Sequence, residues 1–371
     1  MSVPSSFDIA RTHTHTFPHV DLTFLSTDLI AHVLECVSPV RERWLTFVTM
    51  MCTCKHTHDA ALVWLRSVQE CHSHTMPFPL WKLASIVQTG SLRRMTFDDE
   101  CDNAILTLAS HCPALERIDL DVDFSITNRA LEALVRQKDE GILTHLAFSG
   151  TACSVSDRGV VALAHGCPNL TYLHLELSWT SDVTDASVTS LASNCVHLSH
   201  LTLKCSGVTD DGIKALAHLP QLVYLDLESS SLVTASSVHM CSCLSTLVLR
   251  SCHNVSDAAL SAVATHCRSL SHIDVSRCRN VCDDNVVDMS MHCPHLTHVN
   301  LAHCVKISDD GICSLTAHCP HLEYVNVTGC YGVSTMGRVL IQSRGVQCVY
   351  CTNSNEELTT AMTSVLSSVL F

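Results

Sequence analysis

Two hydrophobic rhythms alternate along this chain. One is a short leucine pattern, L-x-x-L-x-L; the other is a longer apolar run at helical spacing that follows it. Leu270-Ile273-Val275, Leu296-Val299-Leu301 and Leu322-Val325-Val327 recur every 26 residues. The pattern reaches back, with looser spacing, through Leu244-Leu247-Leu249, Leu222-Leu225-Leu227, Leu198-Leu201-Leu203, Leu170-Leu173-Leu175, Leu143-Leu146-Phe148 and Leu115-Ile118-Leu120. That makes nine clear units, with Leu92-Met95-Phe97 a worn first copy and Cys348 to Cys351 a worn last one. Period-two alternation predicts a short strand with its leucines inward, and the following run predicts a helix that returns on the other side. One unit cannot bury its own apolar face, so the copies must stack and share a core. The expected fold over residues 92–347 is an α/β solenoid. A parallel sheet would line its concave face and helices its outside.

Cysteines mark the turns. Cys241, Cys267, Cys293 and Cys319 precede the strands; Cys252, Cys278, Cys304 and Cys330 follow them 11 residues later. The second position needs a small side chain that sits inside a tight turn and donates to a backbone carbonyl, which Cys or Asn supplies. Next comes a fixed phrase, as in Val255-Ser256-Asp257 and Ile307-Ser308-Asp309. It puts a hydroxyl where it caps the coming helix and an acid at that helix's positive end. This signature resembles the cysteine-containing leucine-rich-repeat subfamily, over roughly residues 90 to 347.

Residues 22–66 break the rhythm. Leu25, Leu29, Val33 and Leu34 stand at helical spacing, Ser38-Pro39 breaks the run, and Cys54-Lys55 and Val63-Trp64 close the segment. These phrases resemble an F-box, with Leu25-Ser26 where that family has Leu-Pro and Val33-Leu34 in place of its Ile-Leu pair. The resemblance implies a helical module that binds a Skp-type protein through Leu25, Leu29, Val33, Leu34 and Trp64. That protein would link the chain to a cullin ubiquitin ligase. The alternative is a helical cap over the solenoid's open end. Residues 1–20 lack apolar periodicity and are expected to be disordered. Residues 67–91 are expected to be a linker and 348–371 a C-terminal cap or tail, whose Leu358, Met362, Val365 and Leu366 keep helical spacing.

Charge narrows the partner. Against 22 Lys and Arg stand 36 Asp and Glu, a formal charge of -14, which repels phosphates and anionic membranes. A protein partner is therefore expected, and neither nucleic acid nor membrane. The 23 cysteines follow the repeat register and no export signal is visible. They read as buried free thiols of a cytoplasmic or nuclear protein.

Between the leucines, the variable strand positions face outward on the concave side. The third position gives Arg117, His145, Tyr172, His200, Tyr224, Thr246, His272, His298 and Tyr324; the fifth includes His174, Asp226, Asp274 and Asn300; the seventh adds Glu176, Lys204, Glu228 and Arg250. Aromatic and histidine side chains beside an acidic column suit a protein ligand with basic and polar groups. This is the expected substrate-binding face. His-Cys pairs such as His292-Cys293 recur at the repeat period, so a structural slot explains them better than metal; no metal site or cofactor is expected, and Cys348-x-x-Cys351 is the one local pair. With no phosphate loop, G-x-S-x-G or H-E-x-x-H, the chain is not expected to be an enzyme. The sequence leads to a substrate-recognition adaptor of a ubiquitin ligase, or otherwise to a repeat scaffold with no ligase link.

Overall fold

The computed structural model describes residues 154–177 and 182–350 without a break. Before them it describes 142–149, 126–136, 115–121, two short strands and residues 102, 105, 106 and 109. The chain divides into two units, Met1–Ser67 and Val68–Phe371, and all described residues belong to the second. The F-box-like segment 22–66, Cys351 and the tail beyond it lie outside the described residues.

Twelve parallel strands form one sheet in sequence order. They are β1 (Glu70–His72), β2 (Arg94–Phe97), β3 (Arg117–Asp121), β4 (His145–Ser149), β5 (Tyr172–Glu176), β6 (His200–Lys204), β7 (Tyr224–Asp226), β8 (Thr246–Val248), β9 (His272–Asp274), β10 (His298–Asn300), β11 (Tyr324–Asn326) and β12 (Gln347–Val349). Helices follow most strands: α1 (Asn128–Arg136), α2 (Asp157–Gly166), α3 (Asp185–Asn194), α4 (Asp210–Ala215), α5 (Asp257–His266), α6 (Asp283–His292), α7 (Asp309–His318) and α8 (Thr335–Ser343). This is a leucine-rich-repeat solenoid. The sheet extends past the expected repeat limits: β1 falls within the 67–91 stretch and β12 crosses residue 347. Neither carries the leucine triplet, so backbone register alone admits them.

The leucines do what their spacing predicts. Leu170, Leu173 and Leu175 are buried, as are Leu198, Leu201 and Leu203, and the same three places hold through Leu322, Val325 and Val327. Helix lengths follow the residues available. From Leu222 to Leu244 there are 22 residues, against 26 from Leu244 to Leu270. The short unit holds only a 3-10 turn, Val238–Met240, and α4 ends in another, Leu216–His218. A 3-10 helix rises ~2.0 Å per residue against ~1.5 Å for an α-helix, so fewer residues cover the same height.

Side chains also tie each unit to the next. The acid after each helix cap reaches the cap of the following unit. Asp157 accepts from the Thr184 backbone N–H (2.8 Å) and hydroxyl (2.6 Å). Asp185 does the same with Thr209 (2.8 and 2.6 Å), Asp283 with Ser308 (2.9 and 2.6 Å) and Asp309 with Ser334 (2.8 and 2.5 Å). Asp210 accepts from Thr234 at 3.1 and 2.5 Å. Each carboxylate needs a small residue above it. A Cβ on Gly311 would lie 2.6 Å from Asp283 Oδ1, and Ser187, which stands at the matching place over Asp157, turns its hydroxyl onto that acid (2.5 Å). This rail has two gaps. Ala235 offers no carboxylate to Ser256, and Cys282 offers no hydroxyl to Asp257. There Asn285 fills the space a glycine leaves elsewhere, and its amide donates to the Asp257 carbonyl (3.2 Å).

The thiols form a second set of ties. Cys252, Cys278, Cys304 and Cys330 donate to Leu227, Leu249, Val275 and Leu301 carbonyls of the preceding units at 3.0, 3.0, 3.2 and 2.9 Å. Ser230 fills the same slot toward Leu203 (3.2 Å), so the position asks for a small donor rather than for sulfur. The residues just before the four cysteines, Ser251, Arg277, His303 and Gly329, all have φ near +60° to +71°. That left-handed kink turns the thiol inward, and only at Gly329 is it free of Cβ strain. The strand-leading cysteines stack likewise, Cys195 on the Cys167 carbonyl and Cys293 on that of Cys267, both at 3.5 Å. Burial pushes the Cys252, Cys267 and Cys278 thiols up to about 12, so they are protonated donors, not nucleophiles.

Candidate functional site

Strand register lines up the third-position residues predicted from the sequence. Arg117, His145, Tyr172, His200, Tyr224, Thr246, His272, His298 and Tyr324 are successive partners across β3 to β11. Because strands in a sheet stand ~4.8 Å apart, flat side chains in one such line must stack. They do. His145 and Tyr172 lie 3.8 Å apart between ring centres at 10°, Tyr172 and His200 5.7 Å apart, and His200 and Tyr224 5.7 Å apart. The column resumes with His272 on His298 (4.3 Å, 14°) and His298 on Tyr324 (5.7 Å). Thr246 interrupts it.

Hydroxyls beneath the rings fix the histidines. Ser199, Ser271 and Thr297 each donate to the carbonyl of the preceding unit (2.9 to 3.1 Å) and each touch the following ring's Nδ1 at 2.8 or 2.9 Å. The hydroxyl proton is spent on the carbonyl, so Nδ1 of His200, His272 and His298 must carry the hydrogen that the hydroxyl oxygen accepts. Nε2 of the neutral His200 and His272 rings is then a bare acceptor. Burial lowers the pKa of His200 and His272, with His145 and His298 adding to it, so both are neutral at pH 7. The signal for this support was in the sequence: a Ser or Thr precedes every histidine of the column.

The fifth-position residues serve two roles. Asp226 Oδ1 accepts from the Glu228 N–H (2.9 Å), Asp274 from Ser276 (2.8 Å), Asn300 from Ala302 (3.2 Å) and Asn326 from Thr328 (3.0 Å). These side chains close the strand exits, so the predicted acidic column is partly structural. Asp274 also receives the Asn300 amide (2.7 Å). At the N-terminal side, Asp119 holds Arg117 (2.6 Å) and His145 Nε2 (3.2 Å). Burial acts to raise its pKa, but the bonds from His145 and Arg117 outweigh that and lower it. His174 lies 3.6 Å from Glu176.

The seventh positions form a chain of ion pairs across four strands' ends. Lys204 lies 3.4 Å from Glu176 and 3.0 Å from Glu228, and Arg250 lies 3.3 Å from Glu228. One carboxylate in this region is nearly dry: Asp226 is 6% exposed, and burial above all raises its pKa to about 6. Among the described residues no group of three or more His, Cys, Asp or Glu is placed to hold a metal ion, and no helix is long and apolar enough to cross a membrane. Leu25, Leu29, Val33, Leu34 and Trp64, the expected Skp-type contacts, lie outside the described residues.

The fold and sequence both have relatives. Residues 242–371 match the family described as FBD-associated F-box protein At5g56370, LRR repeats, and residues 194–217 match the Leucine Rich repeat family. No curated protein matches the sequence significantly. Among solved structures, the crystal structure of the Rad7 and Elc1 complex in yeast is similar at a TM-score of 0.50 and 16% identity, covering 83% of this chain and 89% of that one. The structure of a TLR13-ssRNA13 complex is similar at a TM-score of 0.44 and 19% identity, covering 73% of this chain and 44% of that one. With one parallel sheet, a thiol in each of four successive turns and a match to F-box-associated repeats over its C-terminal third, the chain is a leucine-rich-repeat solenoid whose cysteine-rich repeats are similar to those of F-box proteins.

Proposed function

We propose that this chain is the substrate-recognition adaptor of a Skp/cullin-type ubiquitin ligase, working in the cytosol or nucleus. The strand face would hold a protein substrate, residues 22–66 would hold the Skp-type subunit, and other subunits would transfer ubiquitin. The chain itself would catalyse nothing. The observation that carries the reading is the stacked ring column. Seven His and Tyr side chains share one line on a pre-formed sheet, and core packing does not require them there. Rigid aromatic anchors that lose little entropy on binding are typical of protein-recognition surfaces. The F-box link rests on the phrases in residues 22–66 and on the F-box-type repeats at 242–371.

Co-purification of the full chain with a Skp-type subunit tests the adaptor role. Wild type should retain the subunit, and Leu29→Asp with Leu34→Asp should lose it while the circular dichroism of the repeats is unchanged. If wild type retains none, the ligase link fails and a repeat scaffold remains. The Leu25-Ser26 pair, in place of Leu-Pro, is the observation that favours that second reading.

A further inference from the structure

The ring column has one gap, and its surroundings say what would fill it. β8 offers Thr246 and Val248 to the face, between Tyr224 and Asp226 of β7 and His272 and Asp274 of β9. The walls are thus two strand spacings apart, about 9.6 Å. One flat group placed between them would sit about 4.8 Å from each, the spacing at which the column's own rings stack. His272 is also the one histidine or tyrosine of the column that is exposed rather than half-buried, because its neighbour on β8 carries no ring.

Charge decides which flat group. Three groups beside the gap keep room to accept: the second oxygen of Asp226, the remaining lone pairs of Asp274, whose two oxygens each already take one bond (from Ser276 N–H and the Asn300 amide), and Nε2 of His272. Lys204 and Arg250, the nearby cations, are engaged with Glu176 and Glu228. The two aspartates also act on each other: Asp274 contributes to the raised pKa of Asp226, behind burial. A planar side chain with donors only and a positive charge meets all of these conditions, and arginine is that side chain. A tryptophan or tyrosine would stack but bring no charge to the two carboxylates, of which only Asp226 feels Lys204. A lysine would bring the charge without the flat surface.

We propose that the gap at Thr246 is an arginine slot, in which a partner protein's guanidinium lies between the Tyr224 and His272 rings with Asp226 and Asp274 as its acceptors. The proposal rests on the reading of the strand face as a protein-binding surface and adds the residue it recognises. Within a bound segment, the slot would set register, since the sheet face offers one break of this kind among the described strands.

The test uses the full chain and a random dodecapeptide display library. Selected peptides should share an arginine, and their affinity should then be measured by fluorescence anisotropy. Replacing that arginine with citrulline, equally flat but uncharged, or with lysine should weaken binding roughly tenfold or more. Thr246→His, which fills the gap with the residue that four of the nine repeats already carry, should weaken it as much while leaving the circular dichroism and Tm unchanged. Asp226→Asn with Asp274→Asn should weaken it as much without unfolding the chain, as circular dichroism would show. Selected peptides without a shared arginine, or peptides that bind Thr246→His as well as wild type, would overturn the slot. If such peptides are lost on Tyr172→Ala or Tyr324→Ala, the face still binds protein and only the slot falls. If no peptide is selected at all, both readings fall.

Discussion

Asp226→Asn is expected to stabilise the chain at neutral pH. The carboxylate is 6% exposed, and desolvation is the main reason its pKa rises from 3.8 to about 6. The Glu228 amide and Lys204 pull it down, while the Glu228 and Asp274 charges push it up. A carboxyl whose folded pKa is raised costs stability once ionised. Between pH ~4 and ~6 the folded state keeps a proton that the unfolded chain has released, so stability falls as pH climbs through that window. Above pH ~6 the whole cost is present: about two pKa units, or roughly 3 kcal/mol. Asparagine keeps the oxygen that accepts from Glu228 N–H at 2.9 Å and carries no charge. In urea denaturation at pH 7.5 the variant should therefore exceed wild type by about 2–3 kcal/mol, and at pH 4.5 the difference should fall to about 1 kcal/mol. A variant less stable than wild type at pH 7.5, or a difference that is the same at both pH values, would refute the reasoning.

The cap rail yields a paired prediction. Asp283→Ala removes three bonds, from Ser308 N–H, Ser308 hydroxyl and Gly311 N–H, and should cost about 2–4 kcal/mol, whereas Asp257→Ala, at the gap facing Cys282, should cost about 0.5 kcal/mol; thermal denaturation compares them. Gly311→Ala should cost roughly 1–3 kcal/mol because its Cβ would meet Asp283 Oδ1, and a double-mutant cycle should show much of that cost gone in the Asp283→Ala background. Native alkylation with iodoacetamide at pH 7.5, read by peptide mass spectrometry, should label the exposed Cys243 and Cys313 among the described cysteines, while Cys252, Cys267 and Cys278 react only after unfolding.

What repeats was legible in the sequence, and what departs from repetition was not. The strand starts, the ring column and the thiol-to-carbonyl turn all follow from periodic residues, because each unit solves the same packing problem. The fifth position hid a second role. Asp226 and Asp274 read as a charged binding column, yet each bends one oxygen onto the backbone two residues on, a local contact that residue type alone does not distinguish from exposure. β1 was missed because an edge strand of three residues joins by backbone pairing and needs no leucine, whereas β12 falls where the worn last copy was read. The gap at Thr246 was visible as a letter but not as a space, since its meaning depends on rings contributed by the flanking strands.

Thr246 sits in the unit that the cap rail fails to tie on either side. Its own helix cap, Ser256, faces Ala235 in the unit before, and its Asp257 faces Cys282 in the unit after. In a solenoid, stability is nearly a sum of unit and nearest-neighbour terms, so a unit lacking both rungs is where local opening concentrates. Thiol bonds still join it to both neighbours, Cys252 to Leu227 and Cys278 to Leu249. A guanidinium held between Tyr224 and His272 would bridge the units on either side of it. Binding would then clamp a unit that lacks both rungs of the rail, and amide exchange should slow in residues 244–269 rather than uniformly along the sheet. The two rail gaps and the ring gap fall in one unit, and a loosely tied unit beneath an open slot is the arrangement by which a rigid repeat array couples local order to a ligand.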